Sequence, residues 1–198
     1  MGFFSFLKSI FAGSQAGQNK DNLKKAYTPE VQEVFTEKTH RGETDNKVTV
    51  LDERGNKILN DGLHPIVRQK VIAVIIEARN AGLPVDLFEG LRSFERQRYL
   101  FEEKKTTKAK PGLSWHNYGL AVDIVFKPKN KWSWSDKHDW KKLGEIVKKH
   151  GFIWGGDWGW DMAHCEYHPG FKKASQALKI FNKSGIEGVW KVVNQSKG

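Results

Sequence analysis

The chain has 198 residues and an ordinary hydrophobic content, so it is long enough for one domain with a proper core and some appendages. Lysine and arginine outnumber aspartate and glutamate by 33 to 23, which gives a formal charge of +10. This balance indicates an anionic partner or, equally, a lysine-rich solvated surface. The single cysteine, Cys165, excludes an intramolecular disulfide and a Cys-x-x-Cys metal site, and we expect it to be a buried structural thiol. No apolar run approaches the roughly 18 residues that a membrane-spanning helix needs.

The N-terminal part is predicted to form two appendages. Residues 1–27 form an amphipathic segment followed by a polar linker, and the segment is expected to dock on its own domain or on a membrane surface, with an atypical export signal as the alternative. Residues 28–61 are predicted to contain a helix that starts at Pro29, followed by a hairpin with Gly55 in its turn. The apolar positions of the first segment share one helical face: Phe3, Phe4, Leu7, Ile10 and Phe11.

A mixed α+β domain is predicted for residues 62–170, with a helical tail at 171–198. Proline at the start and glycine at the end delimit the first helix of this domain, and β-branched runs indicate its strands. The terminal tail is expected to contain one or two helices. The predicted elements are a helix from Pro65 to Gly82, a strand at 84–90, a helix at 94–103, a strand at 121–126, and a helix that Ser135 or Asp136 caps and Gly151 ends.

One acid lies inside an apolar strand. Asp123 is surrounded by Ala, Val, Ile and Phe, and a buried carboxylate there must be solvated, paired or bound to metal. His116 precedes it by seven residues, and Asp161-x-x-His164 follows later in the chain. A catalytic zinc takes three such ligands and leaves one position open, while a nearby carboxylate accepts a proton from water. We therefore predict that His116, Asp123 and His164 hold zinc and that Asp161 is the base.

Other polar and aromatic residues near these motifs allow two interpretations each. His168 is the main rival of His164 as a ligand, and Glu166 either orients a ligand histidine or is a surface or structural acid. Arg92 suits a substrate carboxylate, with a structural salt bridge as the alternative. The tryptophans near the motifs either wall the site or fill the core: Trp115, Trp154, Trp158 and Trp160.

The motifs in residues 62–168 resemble a known family. Ser114-x-His116-x-x-Gly119-x-Ala121-x-Asp123, followed by Asp161-x-x-His164, is similar to the zinc peptidases of the D-Ala-D-Ala carboxypeptidase and L-alanyl-D-glutamate endopeptidase group, the VanY/VanX-like enzymes and related phage endolysins. The Gly90-Leu-Arg92-Ser93 run with Gln97, and the Trp154-Gly-Gly-Asp-Trp158 run, extend the resemblance. It implies a Hedgehog/DD-peptidase-like fold, with a small antiparallel sheet and flanking helices.

The resemblance also implies roles for individual residues. One Zn²⁺ is expected on His116, Asp123 and His164, with Asp161 as catalytic base. Arg92 and Ser114 are expected to contact substrate by the same analogy, and Trp158 is expected to contact substrate because it flanks the site. The endolysin branch commonly reads Asp-x-Pro-His-Phe-Glu, whereas Ala163 and Cys165 stand here in place of Pro and Phe. Neither change removes an expected ligand or base, although both alter the pocket wall.

The predicted function is zinc-dependent hydrolysis of peptidoglycan stem peptides, at the L-Ala–D-Glu bond. The alternatives are a D-Ala-D-Ala carboxypeptidase of the same family and a catalytically silent, zinc-stabilised module that binds cell wall or an anionic surface. An anionic wall polymer or membrane surface is a further candidate partner, while no signature supports nucleic-acid binding. We expect a monomer that acts at the cell wall, on the periplasmic or extracellular side. The sequence does not predict the export route, and release of a protein held in the cytoplasm is one candidate.

Overall fold

The structure is a computed structural model that describes residues 51–196. The predicted N-terminal amphipathic segment, the linker and the helix from Pro29 lie outside the described residues. Within 51–196 the chain forms five α-helices, four strands and three short 3-10 turns. In order these are α1 (Glu53–Asn60), α2 (Pro65–Asn80), β1 (Val85–Glu89), α3 (Phe94–Glu102), the turn Trp115–Tyr118, β2 (Ala121–Phe126), the turn Pro128–Asn130, α4 (Trp140–Lys149), β3 (Ile153–Trp154), the turn Gly155–Trp158, β4 (His164–Glu166) and α5 (Ala174–Gln195).

The four strands form one antiparallel sheet in the order β1-β2-β4-β3, which confirms the predicted α+β class. Asp123 of β2 lies opposite Glu89 of β1 on one side and opposite His164 of β4 on the other. Directly opposed residues of an antiparallel pair project from the same face. The register therefore places these three polar side chains in a row across one face of the sheet.

A β-bulge in β1 produces part of this row. Leu87 pairs with Ile124, while Glu89 pairs with the neighbouring Asp123, so Phe88 is an extra residue in its strand. Such an insertion changes the face toward which the next side chain projects. The bulge lets Leu87 stay buried in the core while Glu89 joins Asp123 on the polar face.

The hydrophobic core covers the opposite face of the sheet. Trp154 pairs with Cys165 there, and helix α4 packs against the indole through Gly144. A Cβ at Gly144 would lie 2.3 Å from the Trp154 ring, so only glycine permits this close packing. Helix α2 contacts α4 and β1 and contributes the fully buried side chains Val67, Val71, Val74, Ile75 and Ala78.

The predicted hairpin around Gly55 is wrong for the described residues. Asp52 accepts a hydrogen bond from the Gly55 amide at 2.7 Å and caps α1, and the buried Leu51 and Leu59 lie at the two ends of this segment. Helix α1 contacts β1, so burial of its apolar residues favours the helix over an isolated hairpin. The predicted cap of α4 is also wrong, because Asp139 caps this helix by accepting from the Lys142 amide at 3.0 Å.

Helix α5 supports the turn that carries His116. The Trp190 indole donates to the Tyr118 carbonyl at 2.8 Å, and Val189 and Val193 are fully buried. The helix is broken at Gly185, whose φ of +66° is outside helical geometry, so two helical segments are present. The other predicted helices and strands of residues 62–170 are confirmed to within a few residues.

Candidate metal centre and its groove

Three ligand atoms converge beside the sheet. His116 Nε2 lies 3.1 Å from His164 Nδ1 and 3.2 Å from Asp123 Oδ1, and His164 Nδ1 lies 3.3 Å from the same oxygen. The 3-10 turn supplies His116, while β2 and β4 supply the other two. Within residues 51–196, these three side chains are the group of histidine, cysteine and acidic residues whose ligand atoms lie close enough together to bind one metal ion.

Hydrogen bonds behind the two histidines assign their tautomers. His116 Nδ1 donates to the Gly90 carbonyl at 2.8 Å, and His164 Nε2 donates to Glu166 Oε2 at 3.0 Å. In the neutral rings, the lone pairs of the other two nitrogens then face each other and the Asp123 oxygen. Three acceptors this close repel one another unless a cation or a proton lies between them.

The donor set and its spacing fit zinc. Zinc–nitrogen and zinc–oxygen bonds of about 2.0–2.2 Å in a tetrahedral site put the ligand atoms roughly 3.3–3.5 Å apart. The three observed separations, 3.1–3.3 Å, are close to this spacing. Two imidazoles and one carboxylate also leave a fourth tetrahedral position, which a catalytic site needs.

Asp123 is held in its charged form. Burial raises the pKa of its carboxyl group, but His116 and His164 lower that pKa by more, so the net pKa is well below the usual value. Arg92 Nη2 donates to Asp123 Oδ2 at 3.3 Å, on the carboxylate oxygen that does not face the histidines. The carboxylate is therefore available as a ligand through Oδ1.

Glu166 links two histidines behind the centre. Its Oε2 accepts from His164, and its Oε1 lies 3.0 Å from His168 Nε2. Burial raises the pKa of Glu166, whereas the hydrogen bonds from both histidines lower it, to about 2 overall. His168 stacks on Trp115 with ring centroids 4.0 Å apart and faces Glu166 rather than the three-atom cluster. Glu166 is thus buried and contacts His164, and it is not a surface acid.

The Arg92 guanidinium is already engaged by protein groups. It bonds Glu89 Oε2 at 2.5 Å and Gln97 Oε1 at 3.0 Å, besides Asp123. Its Nε is buried and has no hydrogen-bond partner among the described residues. The structure therefore shows the structural ion pairs of Arg92. Arg92 also borders the groove, and its contact with substrate remains a prediction. Glu89 was not among the predicted site residues, although its position at the end of a strand, three residues before Arg92, was visible in the sequence.

Asp161 lies at the mouth of the centre. The Trp154 indole donates to the Met162 carbonyl at 2.8 Å and so anchors the loop that carries Asp161. Gly155 packs so closely that a Cβ there would lie 2.5 Å from the Asp161 carbonyl oxygen. Burial is the main cause of a raised pKa at the Asp161 carboxyl group, with the nearby Asp123 charge adding to it. A carboxylate with a raised pKa is a better proton acceptor than an ordinary aspartate.

A groove with two lobes, of about 740 and 610 Å³, runs past these residues, and both lobes are bordered by Phe88, Asp123, Trp134, Trp160 and Asp161. Ser114 and Trp158 both border the larger lobe; Ser114 is buried, whereas Trp158 is exposed and its ring lies 5.6 Å from that of His164. Of the four tryptophans near the motifs, Trp115 and Trp154 are buried, while Trp158 and Trp160 are exposed in the wall of the groove. Cys165 is buried, as predicted.

Comparison with known proteins identifies the family. Residues 107–167 match a family model described as D-alanyl-D-alanine carboxypeptidase, a peptidase M15 model. The peptidoglycan L-alanyl-D-glutamate endopeptidase CwlK of Bacillus subtilis (strain 168) is 40% identical over 124 residues, which cover 54% of this chain and 74% of CwlK. This chain belongs to the M15 peptidase family.

Two solved structures are also similar to this M15 peptidase. The Serratia marcescens L-Ala D-Glu endopeptidase ChiX is 26% identical, with a TM-score of 0.45 over 62% of this chain and 94% of ChiX. VanYB in complex with D-alanine-D-alanine is 22% identical, with a TM-score of 0.40 over 74% of this chain and 84% of VanYB. M15 peptidases are zinc enzymes in general. Helices within the described part of the chain are too short or too polar to cross a membrane.

Proposed function

We propose that this M15 peptidase is a zinc enzyme that hydrolyses the L-Ala–D-Glu bond of peptidoglycan stem peptides. The observation that carries the proposal is the triangle of His116, Asp123 and His164 ligand atoms, at zinc spacing, with Asp161 beside it in an open groove. The choice of bond is supported by the 40% identity to CwlK, whose name gives that bond.

In the proposed mechanism, His116, Asp123 and His164 would hold one zinc ion, which would lower the pKa of a water molecule and polarise the scissile carbonyl group. The Asp161 carboxylate would accept a proton from the attacking water and pass it to the leaving amine.

The remaining residues position the catalytic ones and the substrate. Arg92 fixes Asp123 through Oδ2, and Glu166 fixes the His164 ring through Nε2, as partners of metal ligands generally do. Arg92, Ser114 and Trp158 are proposed to contact the stem peptide, because all three border the larger lobe next to the centre.

The second candidate is a D-Ala-D-Ala carboxypeptidase, which the description of the matching family model favours. A carboxypeptidase needs room for only one residue beyond the scissile bond. The groove instead extends as two lobes from Asp123 and Asp161, which leaves room for substrate on both sides of the bond and favours an endopeptidase. The third candidate, a silent binding module, predicts bound zinc without cleavage.

The proposed substrate places the action of the enzyme at the cell wall, on the outer side of the cytoplasmic membrane. Contact with an anionic wall polymer or a membrane surface, through the formal charge of +10, is part of the proposal, as is a monomeric state. No nucleic-acid partner is proposed.

The deciding experiment is digestion of purified peptidoglycan, followed by mass spectrometry of the soluble fragments. We expect fragments with a new D-Glu amine, no fragments after chelator treatment, and recovery when zinc is restored. His116→Ala should abolish cleavage, while His150→Ala, which alters a histidine paired with Glu77 away from the centre, should not. Release of free D-Ala alone would establish the carboxypeptidase, and zinc binding without any cleavage would establish the silent module.

A further inference from the structure

The two lobes of the groove differ in chemistry. The larger one, here named the cationic lobe, is bordered by Arg92, Arg96 and Lys108. It is also bordered by acids, of which Glu89 and Asp123 pair with Arg92 and Glu166 is bonded to two histidines. The smaller one, the tryptophan lobe, is bordered by Trp134 and Trp160, which also border the larger lobe, and by Asp136, Asp139, Trp140 and Met162. The lobes share Phe88, Asp123, Trp134, Trp160 and Asp161, and beyond these common residues the two sides of a substrate bound at the centre meet different side chains.

Trp134 is the most exposed large apolar side chain among the described residues, with 53% of its surface accessible. The Phe88 ring meets it edge-on, with centroids 4.9 Å apart, and holds the indole in place. Trp160 is 47% exposed, but Lys108 Nζ lies 4.0 Å from its ring and covers part of it. A supported, exposed indole beside a catalytic centre is typical of a ligand platform, and Trp134 fits that description better than Trp160.

The excess of acidic side chains in the tryptophan lobe disfavours an anionic ligand. Asp136 and Asp139 offset the single lysine of this lobe, Lys141, and Asp136 is an exposed acid. Carboxylates on the rim accept hydrogen bonds from hydroxyl and amide N–H groups. An aromatic ring combined with acceptor side chains suits a neutral, hydroxylated ligand, because the C–H face of a sugar ring packs on an indole while its hydroxyl groups donate to the acids.

The substrate chemistry, which rests on the proposed function, supplies such a ligand at the right distance. In peptidoglycan the L-Ala of the stem is attached through a lactyl group to muramic acid. Only that residue and the lactyl unit separate the scissile carbonyl from the sugar, a reach of roughly 7 Å at about 3.5 Å per unit. The carboxylates of the stem lie on the other side of the bond, where Arg96 and Lys108 of the cationic lobe complement them.

We propose that the tryptophan lobe is a subsite for the N-acetylated muramyl sugar that carries the stem peptide, with the ring stacked on Trp134. The sugar then contributes to recognition only when the bond next to L-Ala is cut. A carboxypeptidase acting at the far end of the stem would leave the sugar several residues away from this lobe.

The test compares two substrates that differ only in the sugar. One is N-acetylmuramyl-L-Ala-D-Glu-diaminopimelate, and the other is the same peptide with an N-lactyl cap, which keeps the lactyl unit and lacks the sugar. We expect wild-type kcat/KM to be about tenfold higher for the muramyl substrate, by comparison with the stacking of a nucleic-acid base on an aromatic side chain, which is worth about tenfold or more. Trp134→Ala should reduce this ratio to within about twofold of one.

The matched control is Trp132→Ala. This neighbouring tryptophan also meets Phe88 edge-on but does not border either lobe, so its loss should keep the substrate ratio. Equal cleavage of both substrates by the wild type would overturn the sugar subsite and leave the proposed function intact. A ratio that survives in Trp134→Ala would overturn the stacking of the sugar on Trp134. Absence of cleavage of either substrate, with peptidoglycan also intact, would overturn the proposed function itself.

Discussion

Replacing Glu166 is expected to weaken zinc binding without touching a ligand atom. Its two carboxylate oxygens hold His164 and His168, and the side chain is largely buried. Glu166→Ala leaves the His164 Nε2–H without an acceptor, so the ring can rotate or shift its proton to Nδ1. A proton on Nδ1 blocks the nitrogen that faces His116 and Asp123.

The size of the effect depends on how many of the two Glu166 hydrogen bonds the substitution removes. Partners behind metal ligands typically contribute 10- to 100-fold in affinity, and Glu166→Ala should approach about 100-fold, or about 2.7 kcal/mol. Glu166→Gln should cost only about tenfold. Its amide oxygen can still accept from His164 while its NH₂ group donates to His168 Nε2, an arrangement that the His168 Nδ1 contact with the Phe171 carbonyl, at 3.2 Å, permits.

The assay is competition for zinc against a chromophoric chelator, with the visible spectrum of the cobalt-substituted protein as a second measurement. Glu145→Ala, which removes an exposed acid on α4, is the control and should bind zinc like the wild type. Thermal unfolding of the metal-free proteins separates loss of fold from loss of affinity. Wild-type zinc affinity in Glu166→Ala would refute the role assigned to this carboxylate.

Three further predictions concern catalysis and stability. Asp161→Asn should lower kcat on peptidoglycan fragments by about 10²- to 10⁴-fold with zinc content unchanged. The control Asp157→Asn, which alters an ion pair with Lys148, should keep a kcat near that of the wild type. Similar rates for the two variants would show that Asp161 is not the base. Gly155→Ala should lower both the melting temperature and activity, because the new Cβ would clash with the Asp161 carbonyl oxygen and lie 3.0 Å from His164 Cβ. Overpacking of this kind costs about 1–3 kcal/mol of stability. Circular dichroism melting curves identical to those of the wild type would contradict this prediction. Leu143→Ala, at a fully buried position of α4, should cost about 2–5 kcal/mol in denaturant unfolding, with an unchanged midpoint as the contrary result.

The strongly periodic elements were predictable from sequence because the spacing of their apolar residues matches the period of a helix or a strand. Helix α2 repeats apolar residues at helical spacing between a proline and a glycine, and β2 is a β-branched run. Helix α1 is hard to distinguish from a hairpin in the sequence, because Asp52 and Gly55 suit a turn as well as a helix start. Contact of α1 with β1, far along the sequence, decides between the two.

The candidate residues of the centre, His116, Asp123, Asp161 and His164, were predictable from their order in the chain together with the family resemblance. Which other side chains contact these residues depends on tertiary structure. A bulge in β1 brings Glu89 beside Asp123, and β4 turns Glu166 inward between His164 and His168. Tertiary packing also separates exposed from buried tryptophans and divides the groove into two lobes. These contacts depend on strand register and on packing between distant segments, and neither can be predicted from local composition.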